Sequence, residues 1–347
     1  MSTIQVANVN FESTANNQLV YSANTLTIRV GGANVAVANS SGITYTIGSS
    51  FMRNRIINGN MYIAQRATSA TVTAGTTVPT SNTGYPACDR WFVYSTGANV
   101  TAAQVAGSGS NKNLLQITGA ASVTAVGIGQ RIEQLNSYDL AGQTCTLAVD
   151  ISNSLLTTVT WTAYYATTAD TFGTIGTATK TSIATGTFTV TSTLTRYTAN
   201  ISVPAAATTG IEILFTVGAQ ISGTWQIGNV QFEPGAVATP FERMPFGTQL
   251  QECQRYYWKT FNQGTAPVQN SGVSAGAIAY VTLLAGANYA SVMVYFPVSM
   301  RATPTLVFYN PSATNTKWRN ASKSTDSGPS VTNGYQSQNG FMVINNP

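Results

Sequence analysis

The chain carries eleven carboxylates, three cysteines and no histidine in 347 residues. Without histidine there is no Ser-His-Asp triad, no Cys-His dyad, no histidine zinc site and no histidine general base. The carboxylates are Glu12, Asp89, Glu133, Asp139, Asp150, Asp170, Glu212, Glu233, Glu242, Glu252 and Asp326. Glycoside hydrolysis needs two of them facing one bond. A fold could bring Asp89 near Glu233, or Glu133 near Asp139, but nothing in their spacing demands it. The residues point away from an enzyme. Cys88, Cys145 and Cys253 match no zinc or redox spacing, and their odd number excludes a complete disulfide framework. They read as buried thiols of a chain made in a reducing cytoplasm. Gly127-Ile128-Gly129 lacks the third glycine and the helix of a dinucleotide fingerprint, and reads as glycines near a strand.

Aromatic rings are the other chemistry available. A pyranose face stacks on Trp or Tyr, while amides and hydroxyls bond its hydroxyl groups. Trp91 and Trp225 lie in strand-like tracts, where core packing is their expected role. Trp161 and Tyr165 share one strand face and Tyr164 takes the other. Trp318 differs: it sits between Lys317 and Arg319 in a polar stretch without core periodicity. It reads either as a surface contact or as an anchor packed under its own loop.

The elements that position these residues are strands. Apolar content is 43%, enough for a core, while charged content is 8% against about 25% in typical soluble domains. Thr, Val, Gly, Asn and Ser fill the gap, a mixture suited to pleated surfaces and turns. The expectation is an all-β protein. A chain this neutral is coated in hydroxyls and amides or hides surface in an oligomer. The net charge of +5 is spread thinly, with no Lys or Arg block, so no nucleic-acid partner is expected. No apolar run approaches the length of about 20 residues that spans a bilayer, so no membrane insertion is expected. Met1-Ser2-Thr3-Ile4-Gln5 lacks signal-peptide features, so export by that route is not expected.

Four segments follow. Residues 1–52 read as a meander of short strands, with alternation at Ile4 and Val6, at Leu26, Ile28 and Val30, at Val35 and Val37, and at Ile43, Tyr45 and Ile47. This unit has too few large apolar residues for a core of its own. Residues 53–243 hold regularly spaced strands at Leu114–Thr118, Val126–Glu133, Thr144–Ile151, Thr157–Tyr165, Gly186–Val190, Tyr197–Val203, Gly210–Val217 and Gly223–Glu233, the pattern of a jelly-roll or β-sandwich. Residues 244–259 change period. Thr248 and Gln251 suggest a capping box, and Leu250, Cys253, Tyr256 and Tyr257 recur at helical spacing. Residues 260–347 return to strands at Tyr280–Leu284, Val292–Phe296, Thr305–Tyr309 and Phe341–Ile344.

Several tracts carry a resemblance. Arg53-Asn54-Arg55-Ile56-Ile57-Asn58-Gly59-Asn60-Met61 running to Gln65-Arg66, then Asp89-Arg90-Trp91, then Gln226-Ile227-Gly228-Asn229-Val230-Gln231-Phe232-Glu233-Pro234-Gly235, resemble in order the carbohydrate-binding-module-like domain of bacteriophage tail-fibre proteins. Cys253-Gln254-Arg255-Tyr256-Tyr257 and Met300-Arg301-Ala302-Thr303-Pro304-Thr305 are similar to segments that follow it in such fibres. The resemblance implies a homotrimeric virion protein made in the host bacterial cytoplasm and released by lysis. Residues 1–52 would attach to other tail or baseplate proteins. Residues 53–243 would form the sandwich, 244–259 a linking helix, and 260–347 a β-sandwich tip that meets host surface polysaccharide. Trp318, Arg319 and Tyr335 are the expected glycan contacts. Alternatives are a head fibre or capsid decoration protein, and a surface-glycan depolymerase. No organic cofactor is expected. Related sandwiches hold structural calcium with strand-end carboxylates, which makes Asp89 and Glu233 candidate ligands beside the plainer reading of carboxylates paired to Arg66 or Arg90.

Overall fold

A computed structural model describes residues 8–10, 17–22, 24–30, 33–40, 42–45, 52–75, 84–273, 275–278, 290–317, 319–320, 324–326, 332–334 and 336–345. The expectations for Ile4, Val6 and Ile47, for the strand at 280–284, and for Trp318 and Tyr335 lie outside the described residues.

The protein is nearly all β. In the N-terminal unit β1 (Asn8–Asn10), β2 (Gln18–Ser22), β3 (Thr25–Val30), β4 (Ala33–Asn39) and β5 (Gly42–Tyr45) form one antiparallel meander in chain order. Period-two alternation sets the two faces of β3, but the apolar residues Leu26, Ile28 and Val30 are on the exposed side.

The central unit is a two-sheet sandwich. Its strands are β6 (Ser69–Val72), β7 (Phe92–Thr96), β8 (Val100–Ala106), β9 (Asn113–Thr118), β10 (Ala125–Ile132), β11 (Thr144–Asn153), β12 (Thr158–Ala166), β13 (Lys180–Thr189), β14 (Thr195–Ser202), β15 (Ile211–Val217) and β16 (Thr224–Pro234). One sheet has the order β13-β12-β15-β10-β7, the other β14-β11-β16-β9-β8-β6. Inward residues of both sheets build one core, with Trp91, Leu115, Ile128, Phe215, Trp225 and Phe232 fully buried in it. Trp161 and Tyr165 pack on this core, while Tyr164 takes the opposite face, as their spacing implied. The expected strands from Leu114 to Glu233 are all present, with ends shifted by a few residues. Alternation in the sequence does not reveal strands β6 and β8, because Ser69–Val72 and Val100–Ala106 are mostly Ala and Thr.

The last strand shows how local sequence serves the core. On β16, Trp225 and Ile227 point inward, and so do Val230 and Phe232. Strict alternation cannot place both pairs on one side. The register shift opposite Ala148 and Asp150 supplies the extra residue, and Asn229 takes a left-handed φ of 43° there.

The helix α1 (Phe246–Gln254) follows. It begins before Thr248, so the expected capping box is not formed. Pro245 is the N-cap, without a side-chain cap bond, and Thr248 lies inside the first turn. The C-terminal unit contains β17 (Ala290–Tyr295), the hairpin β18 (Arg319–Asn320) and β19 (Thr325–Asp326), then β20 (Thr332–Gly334) and β21 (Gly340–Asn345), with β17-β21-β20 forming a sheet. Val294, Phe296, Met300, Phe341 and Val343 make its small core, against which Trp258, Leu306 and Phe308 pack. Thr305–Tyr309 is not a strand, contrary to expectation. Side chains satisfy its end instead of a neighbouring strand: the Gln269 amide donates to Phe308 O at 3.1 Å and accepts from Asn310 N at 2.6 Å.

All three cysteines are free and buried. Burial pushes the Cys145 thiol up to about 12, and lifts Cys88 and Cys253 well above the usual thiol range. The thiolate is the reactive form. Native protein is therefore expected to take up no iodoacetamide at pH 8 and to take up three equivalents once unfolded in guanidinium. Labelling of any of the three in the native state would contradict this burial.

Candidate functional site

The tracts that frame the sandwich in sequence bond to one another. Strand β9 pairs only with the first part of β16, Thr224–Ile227. Beside the second part lies the opening tract of the domain. Arg55 N donates to Phe232 O at 2.8 Å and Val230 N to Gly59 O at 2.9 Å. The Asn54 amide bridges the same stretch, donating to Val230 O and accepting from Phe232 N. The Glu242 carboxylate accepts from Asn54 N at 2.9 Å and from Met52 N. Asn58, at a left-handed φ of 58°, staples the turn: its amide donates to Ile63 O and Asp89 O and accepts from Ile63 N. The Trp91 indole donates to Asn58 O at 2.9 Å. These asparagines therefore act as structural pins.

The outward face of the five-stranded sheet is the surface with ligand-binding chemistry. Direct strand partners share a face. One row across the sheet is Thr187, Thr160, Thr216, Gly127 and Tyr94. The next is Thr185, Thr162, Leu214, Gly129 and Phe92. The hydroxyls of Thr162 and Thr185 lie 3.1 Å apart. Gly127 and Gly129 let two rings lie flat on the sheet: a Cβ would meet the Tyr94 ring at 2.1 Å and the Phe92 ring at 2.3 Å. This gives Gly127 and Gly129 their role within a strand. A third row places Tyr164, Glu212 and Arg131 together. Glu212 is fully buried and pairs with Arg131 at 2.8 Å and with Lys180. The Lys180 ammonium lies 4.3 Å from the centroid of the Tyr164 ring. Burial pushes the Tyr94 phenol up to about 12, with Tyr164 and Glu212 adding to the rise. One end of the face is therefore closed by rings and a neutralised ion cluster. The other end presents the half-buried or exposed side chains of Thr160, Thr162, Thr185, Thr187 and Thr216, with the Thr185 hydroxyl also donating to Trp161 O at 3.0 Å, and Arg131 and Lys180 are held within the ion cluster. Strand spacing sets such hydroxyls about 4.8 Å apart across the sheet and about 7 Å apart along a strand. The alternation Thr158-Val159-Thr160-Trp161-Thr162 with Thr185-Gly186-Thr187-Phe188-Thr189 is visible in the sequence, but only the pairing of the strands gathers these threonines on one face.

A second concentration of charge joins the sandwich to the C-terminal unit. Glu133, 6% exposed, receives Arg255 at 3.0 Å on one oxygen and Arg301 at 3.1 Å on the other. Arg301 also reaches Asp170 at 3.7 Å. Arg255 grips the distal side as well, accepting from Arg301 N at 2.9 Å through its carbonyl and donating to Ser299 O at 3.3 Å. Beside it, the Arg90 guanidinium lies 3.4 Å from the Tyr256 ring centroid and that of Arg66 3.9 Å from Tyr257.

Asp89 and Glu233 have no partner in common. Asp89 is buried and accepts from Gln65 N at 2.9 Å and Gln65 Nε2 at 2.6 Å. Burial raises its carboxyl above the ordinary range, opposed by Arg66 and the Gln65 bonds. Glu233 is buried beside Arg53 at 3.3 Å and accepts from Gln231 and from Thr239 N and Oγ1. Protein donors thus occupy both carboxylates. Among the described residues no three His, Cys, Asp or Glu side chains gather to hold a metal. The other pair considered from sequence is likewise engaged elsewhere: Asp139 bonds Arg55 at 2.6 Å and Glu133 its two arginines. Arg319 is partly buried and paired with Asp326 at 2.8 Å. Bonds from Asn310, Asn315 and Arg319 hold the Asp326 carboxyl down at about 2.

No family model and no curated protein matches the chain. Solved structures align with it. The enzymatically active domain of tailspike protein 4 of bacteriophage CBA120 aligns at 19% identity and a TM-score of 0.31, over 46% of this chain and 21% of that one. The chain thus spans about a fifth of the tailspike's length. The module TmCBM61, solved with β-1,4-galactotriose, aligns at 12% identity and a TM-score of 0.32, over 53% of this chain and 99% of that one. The CBM22-1 xylan-binding domain of Xyn10C from Paenibacillus barcinonensis aligns at 12% identity and a TM-score of 0.28, over 50% and 100%. The sandwich assignment stands on the strand pairing itself. No helix among the described residues is long and apolar enough to cross a membrane.

Proposed function

We propose that this chain is a bacteriophage tail-fibre protein that holds host surface glycan without cleaving it. In this reading residues 1–52 join it to the virion, the protein is a homotrimer, and the sandwich carries the sugar contact. The observation that carries the reading is the open, neutral threonine face beside Tyr94 and Tyr164. Hydroxyl rows without a free charge suit a neutral polysaccharide, whose own hydroxyls both donate and accept. The order of the tail-fibre-like tracts supports the virion setting. Adhesion without hydrolysis fits the ion pairing of four buried carboxylates. Glu133, Asp150, Glu212 and Glu233 are each paired to arginine or lysine.

Electrophoresis of the full chain through gels containing host polysaccharide tests this. Wild-type protein is expected to be retarded. The variant Thr187→Glu is expected to bind at least about tenfold more weakly, a loss of about 1.4 kcal/mol, with unchanged melting. Retardation that survives in that variant and disappears in Trp318→Ala would move the contact to the tip. Shortened polysaccharide after incubation would replace adhesion with cleavage.

A further inference from the structure

We propose that Asn339 is a site of spontaneous backbone modification, and that its conversion to isoaspartate loosens the C-terminal unit from the sandwich. The chain has three Asn-Gly steps, Asn58-Gly59, Asn333-Gly334 and Asn339-Gly340. Such a step is chemically weak, because glycine has no side chain to shield its amide nitrogen. That nitrogen can lose its proton and bond to Cγ of the asparagine side chain while ammonia leaves. Water then opens the resulting succinimide at either carbonyl. One opening gives aspartate; the other reroutes the main chain through the side chain and gives isoaspartate.

The fold treats the three steps differently. Asn58 is 1% exposed, its amide nitrogen donates to Ile63 O and Asp89 O, and its oxygen accepts from Ile63 N. Attack at its Cγ requires those bonds to break. Asn333-Gly334 lies in β20, where register with Val343 and Met342 holds its backbone extended. Asn339 is exposed in the bend between β20 and β21, and among the described residues its side chain has no hydrogen-bond partner. The bend is closed from one side only. Ser337 N donates to Gly340 O at 2.9 Å, and no bond returns from Gly340 N to Ser337 O. Packing also fixes glycine as the neighbour, since a Cβ at Gly340 would run into Val294 O.

What the bend holds makes the change consequential. Phe296 N donates to Asn339 O at 2.9 Å and Met300 N to Gln338 O at 2.8 Å. The Gln338 amide donates to Arg301 O at 3.3 Å. The stretch gripped in this way carries Arg301 to Glu133. Isoaspartate inserts a main-chain carbon between the Gln338 and Asn339 carbonyls and adds a negative charge beside them. This inference does not depend on the glycan reading.

Ageing the full chain at mildly alkaline pH, followed by peptide mapping with fragmentation, tests it. Asn339 is expected to convert, faster as pH rises, and to become a substrate for isoaspartyl methyltransferase. In native protein Asn58 is expected to convert at least about tenfold more slowly, the factor that about 1.4 kcal/mol of opening cost supplies. Unfolded in guanidinium, the two are expected to convert at similar rates. Aged wild type is expected to show the C-terminal unit melting earlier than in fresh protein. Aged Asn339→Gln is expected to melt as fresh, because its longer side chain must close a larger ring. Native Asn339 that stays intact while unfolded chain converts would overturn the proposal. Equal native rates at Asn58 and Asn339 would also overturn it, as would conversion at Asn333 in place of Asn339. Converted protein that melts as fresh would overturn the link to the Glu133 junction.

Discussion

Replacing Glu133 with alanine is expected to free the C-terminal unit from the sandwich while leaving both folded. One carboxylate there holds Arg255 and Arg301, and Arg255 in turn holds the backbone at Arg301 and Ser299. Removing it leaves Arg255 without its carboxylate and Arg301 with Asp170 at 3.7 Å, at a junction where Glu133 itself is almost wholly buried. The arginines are about one-third and two-fifths exposed, so water screens part of the loss. About 3 kcal/mol is the expected cost, the low end for a broken buried pair. Calorimetry is expected to show one transition resolving into two, with the C-terminal unit melting first. Glu133→Gln is expected to fall between, because it still accepts hydrogen bonds but has no charge. An alanine variant that melts as wild type, and resists proteolysis after Arg255 equally well, would show that the stacked Tyr256 and Tyr257 suffice.

Gly59→Ala is expected to be among the most damaging single-methyl additions to the sandwich. A Cβ at residue 59 would lie 2.1 Å from Val230 O and 3.3 Å from the Phe241 ring. The obstacle at Val230 is backbone and cannot rotate away. It belongs to the tract that must accept the opening segment beside β16. About 3 kcal/mol is expected from such forced displacement, or roughly 10 °C of melting temperature for a unit of this size. Gly75→Ala is the control, since among the described residues nothing lies within 4 Å of its Cβ position. Equal melting temperatures for the two variants would show that the closing tract yields freely.

Alternation made most of the sandwich legible, because each strand from β9 to β16 exposes one face to the core and one to other surroundings. It failed for β6 and β8, whose Ala and Thr carry little hydrophobic contrast. It misplaced the start of α1, because the fixed φ of Pro245 preceded the side-chain signal at Thr248. Asn229 illustrates a limit of another kind: its bulge matters only opposite Ala148 and Asp150, which sequence spacing does not bring to mind. The Glu133 junction was hidden for the same reason, since one of its arginines is 122 residues away. The threonine face was the reverse case. Its spacing was readable, but hydroxyls in strands are common, and only the pairing of β12, β13 and β15 gathers them into one surface.

The pairing of residues 54–59 with β16 also determines where tension travels. Those two stretches run antiparallel, and the Arg53 guanidinium donates to Pro234 O at 2.9 Å. The chain therefore enters and leaves the sandwich beside one strand. A pull between its two neighbours loads β16 through Arg53, Glu233 and the Glu242 carboxylate. That strand also carries Trp225, Ile227, Val230 and Phe232 into the core. The line that bears tension and the packing that holds the sandwich are thus the same stretch of chain, and neither can be remodelled without the other.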